Sequence, residues 1–501
     1  MNKDLQHFIT QFPVTEHTKR FLAQKQQMYI GGEFCSAQSG NVYEVIEPCT
    51  AGLLAQVPDA SIADVDLAVA AAKSSFTDSP WSRMKPNERE RLLLRLADVI
   101  EQHSQTLAEL ESLDAGKAIS GCKAVDIDGS IDVLRYMAGW STKIAGSTKN
   151  VSVEGDHFAY TLKQPVGVVA AIVPWNWPFT MAIWKMAAPL ALGCTIVLKP
   201  SPLTPLSMLY FAELCQQAGI PKGVVNIVTG SSVEVGSHLV SHPDVDKVSF
   251  TGSTQVGKLV GQAAMQNITP VTLELGGKSP MVVFNDADID KVVAATQQSI
   301  FFNTGQVCSA GSRLYVQKEL YPQVVDAVVQ RVQAMNIGMS LDPNCDVGPV
   351  ISKTQLDTVL SYIEKGKQEG AKVVCGGAAL DGQGYYLQPT VFADCHNDME
   401  IVQKEIFGPV LVVIPFDSEE QALSLANDNI YGLAASVFTQ DISRAQRMIK
   451  NLEAGTVWVN THDLVDSCTP FGGVKQSGFG KDLGVEQLAY FLKTKAVWIE
   501  V

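Results

Sequence analysis

The chain has 501 residues, 46% of them apolar and 18% charged, with a formal net charge of −14. That length exceeds what one hydrophobic core covers, so two or three domains are expected. The acidic balance, without a long basic run, argues against nucleic acid and anionic membranes as partners.

The N-terminal stretch MNKDLQHFITQF is mixed and charged and lacks the apolar core of a signal peptide. The longest apolar stretches, such as VGVVAAIVPW and AAPLALGCTIVL, fall below the ~18 residues needed to span a bilayer. A cytoplasmic protein is expected, in a compartment where thiols stay reduced. The ten cysteines are scattered singly and the eight histidines are dispersed. Neither a disulfide framework nor a metal site is expected, and His462 is read as structural.

In chain order, MYIGGEF (residues 28–34) reads as a strand and turn. Residues 87–117, NERERLLLRLADVIEQHSQTLAELESLDAGK, place Leu92, Leu96, Val99, Ile100, Leu107 and Leu110 on one helical face. Pro86 and Asn87 start that helix and Gly116 stops it. From Val166 onward, VGVVAAIVP, CTIVLKP, GVVNIVTG, KVSFTGS and VTLELGG are compact runs rich in β-branched residues. They are separated by helix-like stretches such as PLSMLYFAELCQQAG. Near-continuous apolar strands imply burial on both faces, hence a parallel, doubly wound α/β sheet of the nucleotide-binding type. After Gly276 a second α/β series follows, with strands in MVVFNDADID, SRLYVQKELY, AKVVCGG, VLVVIPF, ASVFTQ and GTVWVN. The tail TKAVWIEV is strand-like without an obvious partner nearby, and is expected to pair with another sheet, possibly another subunit's.

Four segments carry candidate chemistry. In VPWNWPF, Asn176 sits just past a strand between Pro174 and Pro178, where its amide can donate to a developing oxyanion. In FTGSTQVG, Gly252 and Ser253 open a helix whose N-terminal N–H groups can hold a pyrophosphate. In TLELGGKSP, Glu274 ends an apolar strand, where partial burial raises its pKa and makes it a usable general base. In FNTGQVCSAGSR, Cys308 has small and polar neighbours that leave its sulfur approachable as a nucleophile. Each has a plain structural alternative: a turn asparagine, an ordinary strand-to-helix turn, a paired carboxylate, an inert thiol. Together they compose one reaction, in which sulfur adds to a carbonyl, the amide holds the oxyanion and hydride leaves to a cofactor.

Over nearly its whole length the chain resembles NAD(P)-dependent aldehyde dehydrogenases. The matching segments are VPWNWPF, KPSPLTP, FTGSTQVG, TLELGGKSP, FNTGQVCSAGSR, EIFGPV and PFGGVKQSGFG, in the family's order and at comparable spacing. The resemblance implies a Rossmann-type cofactor domain (1–145 and 166–276) and an α/β catalytic domain (277–480). A small β oligomerisation module (146–165 and 481–501) completes it, in a homodimer or homotetramer. It implies Cys308 as nucleophile, Asn176 and the Cys308 N–H as oxyanion hole, Glu274 as the base activating water, and Lys185 as a structural or proton-relay lysine. It implies cofactor contacts from Pro174, Trp175, Lys199, Ser201, Pro202, Gly252, Ser253, Gly276, Glu405 and Phe407. Many NAD-preferring relatives carry a glutamate where this chain has Pro202. Proline neither accepts from ribose hydroxyls nor repels a 2′-phosphate, so NAD is expected with better tolerance of NADP.

Mapped onto the family pattern, a small-molecule aldehyde would meet Trp177, Met181, Trp184, Phe302, Val465 and Phe471. Any one of them is explained by core packing, but as a set they suggest a broad apolar tunnel with aromatic faces. The segments GWSTKIAGST and VNTHDLVDSCTPFGG also resemble phenylacetaldehyde dehydrogenases, which implies an arylalkyl aldehyde, with medium-chain aliphatic aldehydes as the rival. Betaine aldehyde and short semialdehydes need charge recognition, which is not expected in this tunnel. The other readings are a CoA-acylating relative, a non-catalytic binding protein and a thiol esterase; Glu274 favours hydrolysis over CoA transfer.

Overall fold

The computed structural model describes residues 8–501. The first seven residues, which include part of the charged N-terminal stretch, lie outside the described residues. Two large sheets and three small ones organise the described residues.

The five apolar runs from Val168 onward form the parallel centre of an eight-stranded sheet. Their spatial order is Val225–Ile227, Thr195–Lys199, Val168–Ile172, Lys247–Thr251, Val271–Glu274, all mutually parallel. Thr195–Lys199 and Lys247–Thr251 are buried at every position, as strands covered by helices on both faces must be. The chain winds outward in one direction from Val168–Ile172, then returns to add strands on its other side. The order therefore reverses between Val168–Ile172 and Lys247–Thr251. A crevice opens at that reversal beyond the carboxyl ends of the strands. Short antiparallel strands, Met28–Ile30 with Glu33–Cys35 and Gly478–Phe479, close the two edges.

The second sheet has seven strands. It contains all six runs expected after Gly276, plus Thr390–Ala393, which composition alone did not single out. The tail strand Leu492–Glu500 finds its partner in its own chain, pairing with His157–Pro165 along nine residues. Thr148–Lys149 completes this three-stranded sheet. Among the described residues, no helix is long and apolar enough to cross a membrane.

The long helix expected to Gly116 is two helices, Pro86–Gln102 and Ser104–Ala115. The break is at His103, at φ −107° and ψ 14°, whose ring pairs with the Tyr210 hydroxyl at 2.7 Å. Leu107 and Leu110 continue the spacing of the first helix, which hides the break. The second helix is buried on every side from Thr106 to Ala115, so its pattern cannot report a face. Gly116 does end it, in the left-handed conformation at φ +70°.

Candidate active site

The reversal of strand order brings two strand ends together. Val168–Ile172 runs into Pro174, Trp175 and Asn176, and Lys247–Thr251 into Gly252 and Ser253. With Gly276, Glu405, Phe407 and Cys308 they border a cavity of about 240 Å³. Ser253 caps the helix Thr254–Met265, its Oγ accepting from the Val256 N–H at 3.3 Å. A helix N-terminus thus opens beside the cavity, where unpaired N–H groups favour an anion such as a pyrophosphate. Gly252 must be bare: a Cβ there would lie 2.6 Å from the Phe250 ring. Gly276 lets the Glu405 carboxyl approach the backbone, since a Cβ there would lie 2.1 Å from Oε2 and displace it. Glu405 accepts from the Gly277 N–H at 3.1 Å, and burial pushes its carboxyl up to about 7. Trp175 meets Phe407 edge-on at 5.2 Å. Phe407 has a left-handed backbone at φ +58°, and the Gln355 side chain donates to its carbonyl at 2.8 Å.

Lys199, Ser201 and Pro202 do not line this cavity. Lys199 ends the neighbouring strand and Ser201 and Pro202 follow it; Lys199 Nζ donates to the Gly230 carbonyl at 2.9 Å. Burial lowers that ammonium to about 8.

On the other side of Cys308 lies a larger cavity of about 810 Å³. All six residues expected to meet an aldehyde line it: Trp177, Met181, Trp184, Phe302, Val465 and Phe471. Trp177 stacks on Phe302 with ring centroids 5.8 Å apart, and Trp184 meets Phe471 edge-on at 5.6 Å. The expectation of a tunnel without charge recognition is corrected. Asp463 lines the wall, and the exposed Asp132 and Asp466 also border the cavity. Asp132 escaped the sequence reading because it lies far upstream of every segment that carries the tunnel aromatics.

The loop before Cys308 is strained. Asn303, Thr304 and Gly305 have left-handed backbones at φ +46°, +56° and +70°. A β-branched residue there is an outlier that only its surroundings can maintain. Asn303 Nδ2 donates to the Asn176 carbonyl at 3.0 Å and to the Gln306 carbonyl at 3.2 Å. Asn176 Nδ2 donates to the same Gln306 carbonyl at 2.9 Å. The Gln306 side chain accepts from the Ile351 N–H at 2.9 Å. These bonds lock Asn176 against the loop that presents Cys308. Gly305 is obligatory, since an added Cβ would lie 2.2 Å from the Gly408 carbonyl oxygen.

Cys308 is half-buried and borders both cavities. Burial, and then the carboxylates of Asp463, Glu405 and Glu274, push its thiol well above the ordinary cysteine range. His462 is structural, as expected, although it also borders the larger cavity. Its Nε2 donates to the Ser309 carbonyl at 2.9 Å, and its Nδ1 accepts from the Ser436 hydroxyl at 3.0 Å.

Glu274 ends its strand as expected but lines neither cavity. It is 5% exposed, and among the described residues its carboxyl oxygens make no short hydrogen bond, the Gly473 N–H being the backbone group that favours its ionised form. It faces Gly472, where an added Cβ would lie 2.3 Å from Oε1. Burial and the Asp482 carboxylate raise its pKa well above 4.5, against the pull of Lys185 and Lys481. Lys185 is itself buried and donates to Asp482 Oδ2 at 2.9 Å.

One buried pair had no sequence signal. Lys117 Nζ donates to both Asp126 carboxyl oxygens, at 2.8 and 3.0 Å, and lies 3.8 Å from the centre of the Trp177 ring. Thr180 Oγ1 donates to the same carboxylate at 3.1 Å. Trp177 is therefore held between a desolvated ammonium and its stacked neighbour Phe302.

Known proteins resemble this chain over nearly its whole length. The aldehyde dehydrogenase family profile matches residues 34–497. A phenylacetaldehyde dehydrogenase of Pseudomonas fluorescens is 44% identical over 479 residues, covering 94% of this chain and 95% of that protein. An aldehyde dehydrogenase from Bacillus cereus, solved as an NAD+ complex, superposes with a TM-score of 0.96 at 46% identity, covering 98% of this chain and 99% of that one. A betaine aldehyde dehydrogenase from Staphylococcus aureus, also solved with NAD+, superposes with a TM-score of 0.94 at 38% identity, covering 96% of each chain.

Proposed function

The chain belongs to the aldehyde dehydrogenase family, and from that premise we propose that it oxidises an aldehyde to the carboxylic acid with NAD, through a thioester on Cys308. One observation carries the reading. Trp177, Met181 and Cys308 border both cavities, and of these only Cys308 is a nucleophile.

In this reading the aldehyde enters the 810 Å³ cavity and the cofactor's reactive end occupies the 240 Å³ one. The bare Gly252, the open helix end at Ser253 and the Glu405 carboxyl fit a dinucleotide there. When bound, NAD supplies a hydride acceptor and a positive ring that favours the thiolate. With its proton passed to solvent, Cys308 Sγ forms a bond to the carbonyl carbon, and the carbonyl π electrons move to oxygen. The Asn176 amide, locked by the Asn303 and Gln306 bonds, stabilises that oxygen. Collapse of the oxyanion would re-form the carbonyl as a thioester on Cys308, the aldehyde hydrogen leaving as hydride to the acceptor that NAD would supply. Glu274 then takes a proton from water as the water oxygen attacks the thioester, and Cys308 leaves. In the observed position Glu274 faces Gly472, so this step requires its side chain to turn toward the sulfur. Lys185, paired with Asp482, sets the charge beside Glu274. Lys199, Ser201 and Pro202 are proposed to meet the adenosine end, and Pro202 to leave NADP tolerated beside NAD.

For the substrate we favour an arylalkyl aldehyde such as phenylacetaldehyde. The stacked Trp177–Phe302 pair, Trp184 and Phe471 support this, as does the similarity to the P. fluorescens protein. A specific observation favours a second reading: Asp132, Asp463 and Asp466 around an aromatic cavity suit a cationic aldehyde such as betaine aldehyde. Reduced-nicotinamide absorbance with phenylacetaldehyde, betaine aldehyde and a medium-chain aliphatic aldehyde, each with NAD or NADP, tests both. The favoured reading expects the highest kcat/KM with phenylacetaldehyde, without CoA and with no turnover in Cys308→Ala. A preference for betaine aldehyde selects the second reading, and a CoA requirement refutes hydrolysis. We also propose the domain limits given above, and a homodimer or homotetramer built on the three-stranded sheet.

A further inference from the structure

A cluster of metal-ligating groups lies outside the candidate active site. The helix Val233–Ser241 ends at His242, which is one turn beyond His238. Residues four apart leave the same face of a helix, so the two imidazoles stand side by side. Their rings meet edge-on with centroids 5.7 Å apart. Asp66 faces them from the neighbouring helix Ile62–Asp78. Asp66 Oδ1 lies 2.6 Å from His238 Nε2 and 3.5 Å from His242 Nε2. One nitrogen from each histidine and one oxygen of Asp66 lie within 4.8 Å of one another.

We propose that Asp66, His238 and His242 bind one borderline divalent transition-metal ion, with zinc as the type case and water in the remaining position. The donor set of two imidazoles and a carboxylate suits zinc, cobalt and nickel rather than calcium or magnesium. In a tetrahedral shell with bonds of ~2.0–2.1 Å, neighbouring ligand atoms stand roughly 3.3 Å apart. The two distances to Asp66 already bracket that spacing. The two histidine donors lie within 4.8 Å of each other, so closing the shell requires these partly exposed side chains to rotate together. Binding has a definite cost, because His242 Nδ1 now accepts from the Asp244 N–H at 3.1 Å and must carry the proton once Nε2 is metallated. The ion would tie together two helices that flank the dinucleotide sheet. The histidine-bearing helix passes close to Lys199: a Cβ added at Gly236 would lie 3.8 Å from the lysine side chain. The signal in the sequence is SHLVSH, two histidines at helical spacing, and its third ligand lies 172 residues away from His238.

The test uses the full chain carrying Cys308→Ser and Cys468→Ser, which removes the thiol between the two cavities and the exposed thiol as competing ligands. Zinc, and separately nickel, is titrated by calorimetry at neutral pH in a non-coordinating buffer, alongside the Tm. One saturable equivalent with a micromolar Kd and a raised Tm is expected. His238→Ala, His242→Ala and the near-isosteric Asp66→Asn should each weaken binding by roughly tenfold or more. The Tm measured without metal shows that each variant still folds. Binding unchanged by all three substitutions, or no saturation at millimolar ion, overturns the site and leaves only a hydrogen-bonded surface triad.

Discussion

Glu274→Gln separates the two halves of the proposed reaction. The substitution keeps the shape of the side chain and abolishes its basicity. Loss of a general base costs about 10²–10⁴ in the step it serves. If that step is thioester hydrolysis, steady-state kcat falls by this factor while hydride transfer survives. Stopped-flow absorbance should then show a burst of one reduced nicotinamide per Cys308, followed by a slow phase. Stability gives a second readout with a defined sign. The native pKa of Glu274 is raised well above 4.5 by burial and Asp482. Between the unfolded and native pKa values the native state holds one proton that the unfolded state has lost. Wild-type stability therefore falls as pH rises through that window, by up to about 1.4 kcal/mol per pH unit. Glutamine does not titrate, so Glu274→Gln should gain on the wild type over the same window. Glutamine keeps an oxygen that can face the Gly473 N–H, so the exchange preserves that contact. A kcat within tenfold of wild type, or a burst lost together with kcat, would refute the assignment of Glu274 to hydrolysis.

Two further outcomes follow from the geometry. Without cofactor, Cys308 should react with iodoacetamide more slowly than free cysteine at mildly alkaline pH, because burial and three carboxylates hold the thiol protonated. Saturating NAD should accelerate alkylation; a thiol as fast as free cysteine without NAD would show the thiolate is already formed. Lys117→Met should cost about 3–5 kcal/mol in denaturant unfolding, since it leaves the Asp126 carboxylate buried and unpaired. Adding Asp126→Asn should recover most of that loss, and a single variant as stable as wild type would show that the pair is dispensable.

The legible parts of the site share one property: their signal is local. Asn176 stood out because two prolines bracket a strand end, and Cys308 because its neighbours are small and polar. The five strands of the dinucleotide sheet were readable from runs of β-branched residues, since strands buried on both faces need apolar side chains throughout. Gly116 was readable as a helix stop because a left-handed cap favours glycine. The break at His103 was not readable, because the spacing of Leu107 and Leu110 runs through it.

The sequence was enough for most of the sheet strands, for the helix stop at Gly116 and for the segments carrying Cys308, Asn176 and Glu274, because burial and backbone conformation act on neighbours along the chain. Tertiary structure alone decided that strand order reverses between Val168–Ile172 and Lys247–Thr251, and so where the crevice opens. It alone turned Glu274 toward Gly472, set Lys117 beneath Trp177 and placed Asp132 beside an aromatic cavity. It brought Asp66 to His238 across 172 residues. Burial, desolvation and short-range contact depend on distance in space, and local periodicity carries no record of which distant segments meet.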